Sequence, residues 1–243
     1  MTDSNRTPAR AATRRTVVRG AAWTVPAVAA AVSAPAYAAS PCPNKTALLP
    51  VTWSGTSTPT SQVGTATNGA TVTVSAAYTQ AGLAPGSLGS GNLSAQTATS
   101  VRDSFAIVNN SPATLVSDPA TNFQTVTFTF VQPVYGLTFS IDDIDRGTGY
   151  WDYVSLTATP TETPSGSYGS PTSITGAGTD ANPWRTTSTS GGDNLPSQSV
   201  TVTYANGAVG ITQVRLKFWS TVQTSTSATH LLRLRQMSFR TCA

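Results

Sequence analysis

Residues 136–156 read GLTFSIDDIDRGTGYWDYVSL and hold Asp142, Asp143, Asp145 and Asp152, four of the nine acidic residues beyond position 38. Three carboxylates within four residues repel one another unless a cation lies among them. One answer is Ca2+, which takes roughly six to eight oxygen ligands. Asp142, Asp143 and Asp145 would supply carboxylates, the turn over residues 146–149 would supply carbonyls, and Asp152 would close the site. The spacing is not that of an EF-hand loop, which needs glycine at its sixth position and glutamate at its twelfth. The other answer is an Asx-turn corner, with Asp145 or Asp152 capping backbone amides and pairing with Arg146. The sequence leaves both open.

Aromatic residues accompany the carboxylates. Tyr150 and Trp151 lie in the same loop, and Trp184 follows the loop-like stretch of residues 161–182. These three are the candidate ligand-binding residues, able to stack on a sugar; Trp53 and Trp219 share the chemistry. Each tryptophan equally suits the core of a β-fold.

Catalysis is weakly encoded. His230 is the single histidine, no Gly-x-Ser-x-Gly occurs, and zinc would have one histidine and two cysteines to use. The enzymatic alternative is a glycoside hydrolase pairing Asp143 or Asp145 with Asp152 or Glu162. Against it, the carboxylates crowd one short loop, whereas a cleft usually draws them from separate strands. The expectation is a non-catalytic protein.

Positioning these groups falls to strands, since no long helical period appears. Short alternating runs are expected as strands at residues 49–53, 70–78, 104–109, 124–130, 136–142, 153–159, 199–205, 213–220 and 231–239, with a weaker one at 184–187. Residues 124–130 place Val126, Phe128 and Phe130 on one face and threonines on the other, the mark of a half-buried strand. Leu137, Phe139 and Ile141 share a face. Continuing that parity would bury Asp143 and Asp145, so the strand must end near Asp142. Leu232 and Leu234 give way to Met237 and Phe239 in opposite parity, which predicts a β-bulge near Gln236. Outward Arg215, Lys217, Arg233 and Arg235 read as edge protection. The expected fold is all-β, a single antiparallel jelly-roll-like β-sandwich of about nine or ten strands.

Residues 13–19 read TRRTVVR, followed by a mildly apolar stretch over 20–32 and then SAPAYA. This predicts a twin-arginine signal peptide over residues 1–38, cleaved after Ala38, with the β-domain at 39–243. The apolar run is too short to span a bilayer and Pro26 breaks it, so no membrane span is expected after cleavage. Arg6, Arg10, Arg14, Arg15 and Arg19 against Asp3 give the leader the whole formal charge of +4. Nine basic and nine acidic residues remain, which excludes a nucleic-acid partner on charge. Cys42 and Cys242 in an exported chain read as a disulfide that sets the first and last strands side by side.

A strand ending F-x-I-x-D-I-D, a short glycine-aromatic loop and then W-x-D-x-V-x-L resembles a β-sandwich domain of bacterial exported and cell-surface proteins. The matching residues are Phe139, Ile141, Asp143, Ile144, Asp145, Trp151, Asp152, Val154 and Leu156. FVQPV at 130–134 and LRLRQMSF at 232–239 fit the same pattern, over about residues 100–240. The resemblance implies extracellular binding or structure rather than catalysis and maps no active site. Together these readings predict a secreted or cell-surface module for adhesion, envelope structure or glycan binding, with calcium as the candidate cofactor. Envelope polysaccharide or a surface protein is the expected partner.

Overall fold

Alternation of apolar and polar side chains builds the long strands, with hydroxyls as the polar partner in β3 and the first half of β6 and Arg or Lys in β13 and β14. In the computed structural model the described residues are 42–53, 58–79, 92–96, 104–111, 122–147, 150–168, 173–187, 198–205, 207, 209–222 and 228–243. The targeting segment expected over residues 1–38 lies outside them. Pro41–Ala243 form one compact unit.

The strands are β1 (Leu49–Trp53), β2 (Ser61–Ala66), β3 (Thr71–Tyr78), β4 (Ala95–Gln96), β5 (Ser104–Ser111), β6 (Gln124–Asp142), β7 (Arg146–Gly147), β8 (Tyr150–Thr159), β9 (Ser165–Tyr168), β10 (Ile174–Thr175), β11 (Arg185–Thr186), β12 (Val200–Thr203), β13 (Ile211–Val222) and β14 (Ala228–Arg240). All the pairings are antiparallel. Among the described residues no helix is long and apolar enough to cross a membrane.

Apart from the two-stranded β10-β11 sheet, two sheets form, but they are not separate. One runs β1-β2-β3-β6-β13-β8-β7. The other runs β4-β5-β14-β6-β12-β9. β6 belongs to both, and β1 leaves its partner β2 to pair Leu49 with Phe239 of β14. The ring β1-β2-β3-β6-β14 therefore closes on itself, and the other strands except β10 and β11 extend it. A sandwich of two independent sheets is replaced by this closed arrangement, which leaves fewer open edges.

β6 makes the closure. Its first half buries Val126, Phe128 and Phe130; its second half buries Leu137, Phe139 and Ile141. The parity change falls between, where residues 131–133 are exposed and Gly136 takes a φ of 54°. A side chain there would be strained, whereas glycine adopts this conformation readily. Pro133 removes a ladder donor at the same place. The two strands expected at 124–130 and 136–142 are thus one strand with a kink. The core follows it: Phe128 lies 6.1 Å from Phe105 and 6.2 Å from Phe139, ring centre to ring centre.

The predicted bulge in β14 is present, with Gln236 at φ 54° and the register against β6 shifting between Arg235 and Ser238. Cys42 and Cys242 are bonded with their Cα atoms 5.6 Å apart, and Lys45 bridges to Cys242 beside them. The first and last strands do lie side by side. The edge-protection reading of the outward basic residues is corrected, because β13 and β14 are interior strands with a neighbour on each side. Residues 161–182 are not one loop, since β9 and β10 lie within them.

Candidate functional site

Period two divides β8 into an inner row, Tyr150, Asp152, Val154, Leu156 and Ala158, and an outer row, Trp151, Tyr153, Ser155, Thr157 and Thr159. The chemistry of the molecule lies on both sides of this strand.

On the inner side, β6 ends at Asp142 as expected, but the carboxylates do not reach solvent. Asp142, Asp143, Asp145 and Asp152 are between 1% and 8% exposed. Each has its own partner. Arg235 forms an ion pair with Asp142, and Arg233 NH1 lies 3.2 Å from Asp143 Oδ2. Both arginines come from β14, where Arg233 is paired across the ladder with Asp142 itself. Arg146, expected among the carboxylates, instead lies over the Trp151 ring at 3.9 Å from its centre.

Asp145 and Asp152 form the second half of the cluster. The Tyr150 hydroxyl donates to Asp145 Oδ2 at 2.9 Å. The Asp152 amide donates to the Asp145 carbonyl at 3.0 Å, which brings the two carboxyls close enough to shift each other's protonation. His230 Nδ1 of β14 stands 3.3 Å from Asp152 Oδ1, and the His230 ring meets the edge of Tyr150 at 4.8 Å. Asn109 and Ser220, the ladder partners of His230 and Asp152, complete a polar end to the interior.

Burial governs protonation here. Loss of solvent raises Asp145 to about 7, helped by the charge of Asp152. Loss of solvent raises Asp152 to about 8, with the charge of Asp143 adding to it. His230 is pushed down to about 4 by burial against the opposing pull of Asp145. Tyr150 is raised by burial and by the Asp145 charge. All four groups are driven toward neutrality.

This geometry bears on both expected chemistries. Among the described residues no group of three or more His, Cys, Asp or Glu is placed to hold a metal ion. Asp142 and Asp143 turn to arginines while Asp145 and Asp152 turn to each other, so the calcium reading has no geometric support. As for glycoside hydrolysis, retaining enzymes hold their carboxyls about 5–5.5 Å apart and inverting enzymes about 6.5–9.5 Å apart. Asp145 and Asp152 are 8% and 1% exposed, which leaves neither carboxyl open to a sugar. Asp143 is held by Arg233, and Glu162 places its charge beside Tyr204.

On the outer side, aromatic and cationic groups form a continuous row. Arg146 covers Trp151; Trp151 tilts toward Tyr153 at 6.3 Å; Tyr153 stacks on Trp219 at 5.5 Å with only 6° between their planes. Lys217 follows, 5.5 Å from the Trp219 ring and 4.3 Å from Phe123. Cross-strand pairing of Trp219 with Tyr153 and of Thr221 with Trp151 sets the row. Trp151 and Tyr153 remain half-buried, while Trp219 is almost covered.

The three predicted ligand residues thus part company. Trp151 faces outward. Tyr150 is half-buried and turned to Asp145 and His230. Trp184 is 1% exposed, its indole so close to Gly166 and Gly178 that a Cβ on either would fall 3.0 Å or 2.5 Å from it. It is a core residue, and the partly buried Trp53 packs against the core in edge contact with Phe105 at 4.5 Å. Tyr153 was missed, although its spacing of two from Trp151 on a strand places both on one face. Comparison of the chain with protein-family models, with curated proteins and with solved structures returned no match.

Proposed function

We propose that this protein is an exported, non-catalytic β-module that binds glycan at the outer face of β8 and β13. The twin-arginine pattern of residues 13–19 motivates the export reading, with residues 1–38 removed and the disulfide formed outside the cytoplasm.

The observation that carries the binding reading is the half-exposed pair Trp151 and Tyr153 beside Arg146. Aromatic rings offer an apolar surface to the C–H face of a pyranose, and adjacent donors fix its orientation. The aspartate end offers no comparable opening, because its carboxyls are buried and two of them are already paired with arginines.

Affinity electrophoresis of the mature protein through gels containing soluble polysaccharides tests the reading. Retardation by at least one polysaccharide, lost in Trp151→Ala while that chain stays folded by circular dichroism, is the expected result. Binding to none of a broad panel, or retardation that survives Trp151→Ala and Tyr153→Ala together, would sink it. Release of reducing sugar by the purified protein would favour the hydrolase instead.

A further inference from the structure

The outer face carries a charge asymmetry that stacking on a neutral sugar does not require. β2, β3 and β13 contain no Asp or Glu, nor does the half of β6 that pairs with β3. The single carboxylate of β8, Asp152, points inward. Against this uncharged background of Thr and Ser, Arg215 and Lys217 project from successive outer positions of β13. They lie about 7 Å apart along the strand and continue the line of Trp219. Arg215 is exposed, and its Nε donates to Gln213 Oε1 at 2.9 Å. Its two terminal amino groups have no partner among the described residues. Arg146 adds a third cation at the aromatic end.

We infer that this face takes an acidic polysaccharide whose uronate units lie along β13, rings against Trp151 and Tyr153 and carboxylates on Arg215 and Lys217. The inference rests on the glycan-binding reading above and narrows it. A pyranose that carries its own carboxylate presents an apolar ring face and a planar two-oxygen anion together. The guanidinium fork of Arg215 matches that anion in a way a point charge does not. A polymer of phosphodiesters without rings would engage the cations and leave the aromatics unused. A protein partner would call for a buried apolar anchor, which rows of Thr and Ser do not supply.

One carboxylate opposes this ligand. Asp180 lies 3.5 Å from Lys217 Nζ and accepts a hydrogen bond from Ser155, with its own side chain 60% exposed. It competes with an incoming uronate for Lys217.

The test is titration calorimetry with sodium polygalacturonate, a neutral β-glucan and poly(glycerol phosphate), at about 0.02 M and about 0.2 M salt, where screening differs strongly. The expected result is binding to polygalacturonate that weakens with salt. Arg215→Ala should weaken it about tenfold, the loss of one charge-assisted hydrogen-bond donor pair. Asp180→Asn should tighten it, and this opposite sign keeps the test decisive even if Arg215→Ala unfolds the protein. Equal binding of the neutral glucan with no response to either substitution overturns the acidic ligand but leaves the glycan reading standing. Binding of poly(glycerol phosphate) alone overturns the uronate. Binding of none brings down both readings.

Discussion

The two rows of β8 differ in what their polar groups are for. On the inner row, Asp152 faces His230 at 3.3 Å and Tyr150 donates to Asp145, so the polar groups are buried against one another, although both His230 nitrogens and Asp152 Oδ1 make no hydrogen bond among the described residues. On the outer face, Trp151 and Tyr153 are half-buried, and Arg146 over Trp151 and Arg215 farther along β13 have no carboxylate partner among the described residues. A group whose valence is met internally contributes to stability, while one left partly open can meet a ligand. Residues one position apart on the same strand therefore fall to different purposes, and the pleat is what separates them.

The largest effect should come from breaking the inner row. Arg235→Ala leaves the buried Asp142 carboxylate without its cation. Removal of one partner from a buried ion pair costs about 3–5 kcal/mol, to be read as a lower urea midpoint with unchanged slope. A loss under about 1 kcal/mol would mean that Asp142 is solvated, and the contrast between the rows would weaken.

Acidity should separate the rows next. Asp145 and Asp152 have folded-state values raised from 3.8 to about 7 and about 8. Their contribution is fully present below about pH 4 and is lost as pH rises through those values. His230 has its value lowered from 6.5 to about 4, so its contribution is present above pH 6.5 and lost as pH falls through about 4. Between pH 6.5 and pH 8 only the carboxyls change. The melting temperature should fall over that window by about 4 °C or more, at roughly 1.4 kcal/mol per pH unit for one such group. Asp152→Asn should flatten this dependence; a dependence identical to that of the unsubstituted chain would place the titration elsewhere.

The outer row should matter little to folding. Trp151→Ala, at a half-buried position, is expected to cost about 1 kcal/mol, measured by the same denaturation. A cost near that of Arg235→Ala would make Trp151 a structural residue and not a ligand contact. The smallest effect concerns metal. Saturating calcium followed by chelator should leave the midpoint in place, whereas a bound ion at 100 times its dissociation constant would add about 2.7 kcal/mol. A calcium-dependent rise abolished by Asp145→Asn would reinstate the metal reading.

Much of the frame could be read from alternation. β1 begins and ends where the pattern placed it, and the parity change in β14 located the bulge at Gln236. β2 was invisible because its inward residues are Gln62, Gly64 and Ala66, which give no apolar period. Gly64 is required there, since a Cβ would fall 2.6 Å from both Trp53 and Val51. The kink in β6 disguised one strand as two. At the aspartates, the cost of burying a carboxylate correctly ended the strand at Asp142, but it gave the wrong environment. The compensating arginines come from β14, some 90 residues away, and local spacing carries no trace of a cross-strand register. His230 was likewise a lone residue in sequence and meets Asp152 only across the interior, since β14 and β8 are not ladder partners. Trp184 shows the reverse limit: its type is the same as that of Trp151, and only the glycines packed on it distinguish a core ring from a surface one.

The most direct measurement is polysaccharide affinity in two single variants compared side by side, Asp145→Asn on the inner row and Trp151→Ala on the outer. The account predicts that Asp145→Asn keeps the affinity of the unsubstituted protein while Trp151→Ala loses it, both chains being folded by circular dichroism. Retained binding in Trp151→Ala together with its loss in Asp145→Asn would contradict the account and move the functional site to the buried carboxyls.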